Sequence, residues 1–285
     1  MVGGGGPGQR KGDGDGEGRG RDGALGHGGH AGPVCQGGCG PPDRCGAPWR
    51  TTSSVWRWVS WLPTGQLLAR GDDVAMTSVV LASASPARLA LLRACGLDPQ
   101  VVVSHVDEPA VEAAARQRDP HVSPGTLAQL LAEAKGESVA SRLPAGTDLV
   151  IACDSVLELD GRVHGKPGTA EVARERWSAM RGRTGVLHTG HHVVHLPTGR
   201  SAGAPASARV HFAGASDAEI DGYVATGEPL HVAGGFTLDG LAAPFVDAIE
   251  GHPSTVIGLC LPLLRRLLAD LGVDWWTVAS AQSRG

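Results

Sequence analysis

From Met76 onward, short apolar runs alternate with longer stretches whose apolar positions recur at helical spacing, and that alternation predicts an α/β domain. "SVVLAS" is a buried strand. "SPARLALLRACG" is a helix, with Ser85 at its N-cap, Pro86 at its first position and Gly96 as its stop. "TLAQLLAEAKGESVASRL" predicts a second helix, "DLVIAC" a second strand, and "TAEVARERWSAMRG" a third helix from Thr169 to Gly182. "GVLHTGHHVVHL" and "SARVHF" are further strands. "SDAEIDGYVATG" opens on a capping box of Ser216 and Glu219, and "LPLLRRLLADLG" is the closing amphipathic helix.

Before Met76 the pattern fails. Residues 2 to 22 are almost entirely Gly and charged residues, and the chain stays rich in Gly and Pro up to Ala75, around the short stretch "VWRWVSWLP". Residues 1–75 are therefore expected to be a disordered leader, with Met76 as an alternative start. The expected domain spans 76–275, followed by a tail over 276–285. The leader has no continuous apolar segment of the kind a secretory signal needs, and no stretch reaches the roughly 18 apolar residues of a membrane span. A formal charge of −4 leaves no basic footprint for a nucleic-acid polymer. Cys95, Cys153 and Cys260 sit in apolar runs, as reduced residues of a cytoplasmic protein would. Cys35, Cys39 and Cys45, with His27 and His30, lack the paired spacing of a zinc knuckle.

Three constellations carry candidate chemistry. Ser83, Ser85 and Arg88 stand at a strand-to-helix junction, where unpaired N–H groups and the helix dipole favour an anion; ordinary capping is the plain alternative. Asp107 and Glu108 end the strand-like stretch "VSHVDEP" and offer hard oxygens suited to Mg²⁺ or Mn²⁺. In "VIACDSVLELDGRVHGKP", Asp154 ends an apolar strand, Asp160-Gly161 forms a hairpin turn, and Lys166 returns close to where the strand left. A two-residue loop sets Lys166 opposite Ser155, whereas a bulged three-residue loop puts it on the face of Asp154. Lys135 is a further cation, although a lysine on an exposed helix face is commonplace. His191 and His195 alternate on one strand face around Val193, a sheet pattern more than a metal-ligand pattern.

Together, "LASASPARLALL", "VDEP", "CDSVLELDGRVHGKP", "GRTGVLHTG", "YVATGEPLHVAGGFTLDGLAAPFVDAIEG" and "VIGLCLPLLRRLL" resemble the Maf family of nucleoside triphosphate pyrophosphatases, once called septum formation proteins. They follow the family's order and cover most of Met76 to Leu271. The resemblance implies an elongated mixed sheet flanked by helices, with a central cleft. It also implies metal-dependent cleavage of a nucleoside triphosphate to the monophosphate and pyrophosphate, with a role in sanitising the nucleotide pool. Asp154 matches the family's catalytic acid; whether it accepts a proton or holds the metal stays open. Ser83, Arg88, Glu108, Lys135 and Lys166 match the phosphate- and metal-handling positions. A homodimer is the assembly it suggests.

The chain departs from the family at positions tied to base preference. Ala87, Ser155 and Asp239 stand where the dTTP/UTP branch has Arg, Thr and Gln and the 7-methyl-GTP branch has Trp, Gln and Glu. Val232 replaces a lysine common in the family. Two rival functions are a non-enzymatic regulator of cell division, as the old family name implies, and a phosphohydrolase of another small metabolite. The chain shows no basic patch, exposed heptad or peptide-binding signature to favour the regulator.

Overall fold

The structure, a computed structural model, describes residues 77–279. The leader expected over 1–75, its cysteines and histidines, and residues 280–285 lie outside the described residues. Strands β1 (Val79–Leu81), β2 (Gln100–Val101), β3 (Leu149–Leu159), β4 (Arg162–His164), β5 (Thr184–His195), β6 (Arg200–Phe212) and β7 (Val246–Glu250) form one mixed sheet. Its order is β2-β1-β3-β5-β6-β7, with β4 also paired to β3. β1 runs parallel to β2 and β3, and every other pair is antiparallel. Among the described residues no helix is long and apolar enough to cross a membrane.

The helices are α1 (Pro86–Ala94), α2 (Glu108–Arg118), α3 (Pro124–Ala140), α4 (Ala170–Met180), α5 (Asp217–Ala225), α6 (Pro253–Ile257), α7 (Leu261–Asp270) and α8 (Trp275–Val278). Ser85, Thr169 and Ser216 cap α1, α4 and α5 as their sequence positions predict, and Glu219 completes the capping box. Two expectations change. "VSHVDEP" is not the end of a strand: β2 stops at Val101, and Asp107 caps α2 by accepting the Ala110 N–H, with Pro109 in the first turn. The boundary expected at 275 falls inside α8, where Asp274 caps the helix and Val278 and Ala279 are buried in the core.

The two largest of four hydrophobic clusters among the described residues flank the middle of the long strands. One packs Leu149, Ile151 and Cys153 of β3 against Leu264, Leu267 and Leu268 of α7. The other packs Leu157 and Leu159 of the same strand against Trp177 of α4, Ile220 and Tyr223 of α5, and Phe212. Between them the sheet parts. On the side away from β5, β3 pairs with β1 up to Ile151 and with β4 from Leu157. Among the described residues, 152–156 have no strand partner on that side, and Asp154 lies at the centre of the gap.

Candidate active site

The gap opens into a cleft of about 1080 Å³, lined by residues of α1, α2, α3, β3 and the loop that precedes β7. This is comparable with the roughly 300–1,000 Å³ of small-molecule sites. Asp154 Oδ1 accepts from Lys135 Nζ at 2.5 Å, and the same ammonium lies 2.7 Å from Glu108 Oε1. The Lys135 and Asp154 side chains are only 12% and 11% exposed, against 53% for Glu108. Lys135 thus occupies the buried centre of the site, not the exposed helix face that its local sequence suggests. Glycines put it there. Gly190 faces Asp154 across the β3–β5 pairing, and a Cβ on it would lie 2.5 Å from Gln129 N and closer still to the Ala128 carbonyl. A Cβ on Gly136 would meet the His192 ring at 2.6 Å. α3 can rest this close to the sheet only where these side chains are absent. Burial pushes the Asp154 carboxyl above the usual carboxylate range; Lys135 and Arg88 pull it down, and Glu108 adds to the rise.

Arg88 is buried and works as a hub. Its Nε donates to Gly258 O, Nη1 to Ser83 Oγ and Cys153 O, and Nη2 to Ser155 Oγ, at 2.7–3.0 Å. Four of its five N–H groups are therefore spent inside the protein. One of them satisfies the Cys153 carbonyl at the break in the sheet. Ser83 Oγ also accepts the Ser85 N–H, so its own proton is left to donate. Ser155 differs. Thr189 Oγ1 donates to Thr255 O, so the 2.9 Å contact between the two hydroxyls makes Ser155 the donor to Thr189.

The hairpin takes the two-residue register: Leu159 pairs with Arg162, and Asp160 and Gly161 have φ of 52° and 71°, a turn of type I′. β4 ends at His164, so Lys166 lies beyond the ladder with an exposed side chain lining the cleft. The cation against Asp154 is Lys135, where the hairpin alone had pointed to Lys166. Ala87, Ser155, Asp239 and Val232 also line the cleft.

Sequence reasoning missed Glu228. It accepts from Tyr223 Oη at 2.9 Å, Thr237 Oγ1 at 2.5 Å and Leu241 N at 3.0 Å. Tyr223 is in α5, and Thr237 and Leu241 lie 9 and 13 residues away in a loop without periodicity, so only the E-P dipeptide and the lone tyrosine could have drawn attention to it. His191 is a structural acceptor. Its Nε2 takes the Cys260 N–H at 2.8 Å, which places the ring proton on Nδ1. Burial and Arg88 bring its pKa down to about 4. Cys153 and Cys260 are buried free thiols, and burial raises Cys153 to about 12.

The model of the Maf-like protein family matches residues 78–271. A nucleoside triphosphate pyrophosphatase of Streptomyces coelicolor is 58% identical over 194 residues, covering 68% of this chain and 90% of that protein. Proteins of the same name from Salinispora tropica and Leifsonia xyli are 55% and 52% identical. They cover 73% and 68% of this chain and 88% and 93% of their own lengths. With the matched segment running from β1 to the end of α7 and enclosing the cleft, the chain belongs to the Maf-like protein family.

Proposed function

We propose that this chain hydrolyses a nucleoside triphosphate to the monophosphate and pyrophosphate, with Asp154 as proton acceptor. One observation carries the reading: a buried carboxylate at the break in the sheet, bonded to a buried lysine, in a chain that over about two thirds of its length is more than half identical to proteins bearing that name. Phosphoryl transfer needs positioning and charge neutralisation more than covalent chemistry. Lys135 and Lys166 supply cations, and the first turn of α1 with the Ser83 hydroxyl supplies donors for phosphate oxygens. Arg88 builds the site more than it grips a phosphate, because four of its five donors are already committed. Water attacks phosphorus, its proton passes to Asp154, and pyrophosphate leaves with the electrons of the broken P–O bond. A carboxyl raised by burial holds that proton better near neutrality than an exposed aspartate does.

A divalent cation fits the residues present. Glu108 and Asp154 already share one positive group, the Lys135 ammonium, and two carboxylates with substrate oxygens make a normal Mg²⁺ or Mn²⁺ environment. Bound there, the metal would neutralise phosphate charge and make water more acidic. The same reading includes a cytosolic, homodimeric enzyme that clears unwanted nucleotides, with the buried free thiols in keeping with a reducing setting. The test is pyrophosphate release from a panel of nucleoside triphosphates with Mg²⁺, with Mn²⁺ and with chelator. No release from any nucleotide refutes the proposal, and undiminished release in chelator refutes the metal.

A further inference from the structure

Lys166 lines the cleft from beyond the last ladder pair of the hairpin, Leu157 with His164, so the sheet does not hold it. Residues 165–168 form a strap that is bound to the loop before β7 instead. The Gly165 carbonyl accepts the Gly234 N–H at 3.1 Å, and the Gly168 N–H donates to Leu230 O at 3.0 Å. These two main-chain bonds flank Lys166. From the other side α4 reaches the same strap: Arg176 Nη1 donates to the Gly165 carbonyl at 2.5 Å. Pro167 is buried, and it and the Arg176 stem lie against Gly235, where a Cβ would stand 3.0 Å from Pro167 Cγ and 3.7 Å from Arg176 Cδ. The next residue, Trp177, is buried and donates its indole N–H to Gly235 O at 2.8 Å, so the turn of α4 that carries Arg176 is fixed to that loop.

Arg176 is half-buried, and among the described residues no carboxylate lies in ion-pair contact with it. Burial lowers its pKa, and Glu175 beside it works the other way. Burial, Arg176 and Arg162 lower the pKa of His164, against Asp160, so cations already crowd this end of the hairpin. A partly desolvated guanidinium beside other cations is disfavoured, and the hydrogen bond to the Gly165 carbonyl is the interaction that offsets this.

We propose that Arg176 is a positioning residue for the phosphate site: it pins the Gly165 carbonyl, and so holds Lys166 where its ammonium meets the phosphates of the nucleotide. Arg176 acts through the main chain of its neighbour and does not itself touch the substrate. The inference rests on the proposed pyrophosphatase activity and on the phosphate role of Lys166 within it.

The test measures, with Mg²⁺ present, kcat and KM for the nucleotide that wild type hydrolyses best and the inhibition constant of inorganic tripolyphosphate. Arg176→Met keeps an apolar stem against Gly235 but has no donor. It should raise KM and the tripolyphosphate constant about tenfold, the low end for a hydrogen bond from a charged donor, with a smaller change in kcat. The bond uses a single N–H, so Arg176→Lys, with stem and donor both present, should stay within about threefold of wild type. In a Lys166→Ala background Arg176→Met should weaken tripolyphosphate no further. Arg176→Gln, too short to span to the carbonyl, should match Arg176→Met and takes its place if the methionine variant does not fold. A folded Arg176→Met enzyme with the wild-type constant, equal constants for the methionine and lysine variants, or a loss that recurs in full without Lys166 overturns the positioning role and leaves the pyrophosphatase reading intact. A wild type that releases pyrophosphate from no nucleotide overturns that reading and the positioning role with it.

Discussion

Replacing Gly190 by alanine adds a single methyl group where α3 crosses the sheet, directly opposite Asp154. The new carbon would lie 2.5 Å from Gln129 N, and the shortest ordinary contact is about 3.4 Å, so helix and strand must separate by about 1 Å. The obstacle is helix backbone and cannot rotate away. Overpacking of this kind costs about 1–3 kcal/mol, or roughly 2–12 °C in Tm for a domain of this size. The larger effect falls on the chemistry. Lys135 rides on α3, so the 2.5 Å bond to Asp154 is lost, and displacing a reacting group by about 1 Å can cost about 10²-fold in kcat. Gly136→Ala is the graded control: its methyl meets the buried His192 side chain instead of helix backbone, so kcat should fall less. Thermal melts and steady-state kinetics on both variants decide the matter. A Gly190→Ala protein with wild-type kcat would refute the claim that close approach of α3 sets the site.

Asp154→Asn is nearly isosteric and should leave Tm within a few degrees while lowering kcat at least about 10²-fold, the low end for a general base; near wild-type turnover in a folded variant rules out the proton acceptor. Lys166→Ala removes an exposed cation lining the cleft, so KM for the nucleotide should rise while Tm holds; an unchanged KM places Lys166 outside the phosphate site. His191 stays neutral in the fold down to about pH 4, whereas in the unfolded chain it takes up a proton near 6.5. Stability should therefore be full above pH 6.5 and fall as pH drops toward 4, by about 3 kcal/mol at most. His191→Gln keeps an acceptor for Cys260 N–H without titrating, so urea midpoints between pH 7.5 and 4 should vary less than in wild type; equal slopes contradict the assignment.

Local signals in the chain fixed what depends on neighbours in sequence. The caps at Ser85, Thr169 and Ser216 and the Asp160-Gly161 turn are short-range hydrogen-bond and backbone requirements, and they stand where the pattern puts them. The capping role of Asp107 does carry a local signal, because an acid followed two residues on by proline is how a helix starts. The roles of Lys135 and Arg88 are not legible in their local sequence. The burial of Lys135 depends on glycines 1 and 55 residues away, and Arg88 meets partners at 153, 155 and 258. Such contacts have no periodicity to read. Glu228 belongs with them, since its meaning lies in a loop that closes on itself.

The long strands β3, β5 and β6 run unbroken through both hydrophobic cores, and the cleft sits on β3 between them. Neither core can melt without fraying strands that the other needs, so heat should dissolve the described domain in one cooperative step. A nucleotide bound at the junction then acts as a shared rivet. At a concentration one hundred times its dissociation constant it adds about 2.7 kcal/mol to the single transition, and the two cores should gain that protection together, seen alike by hydrogen exchange in α4 and in α7.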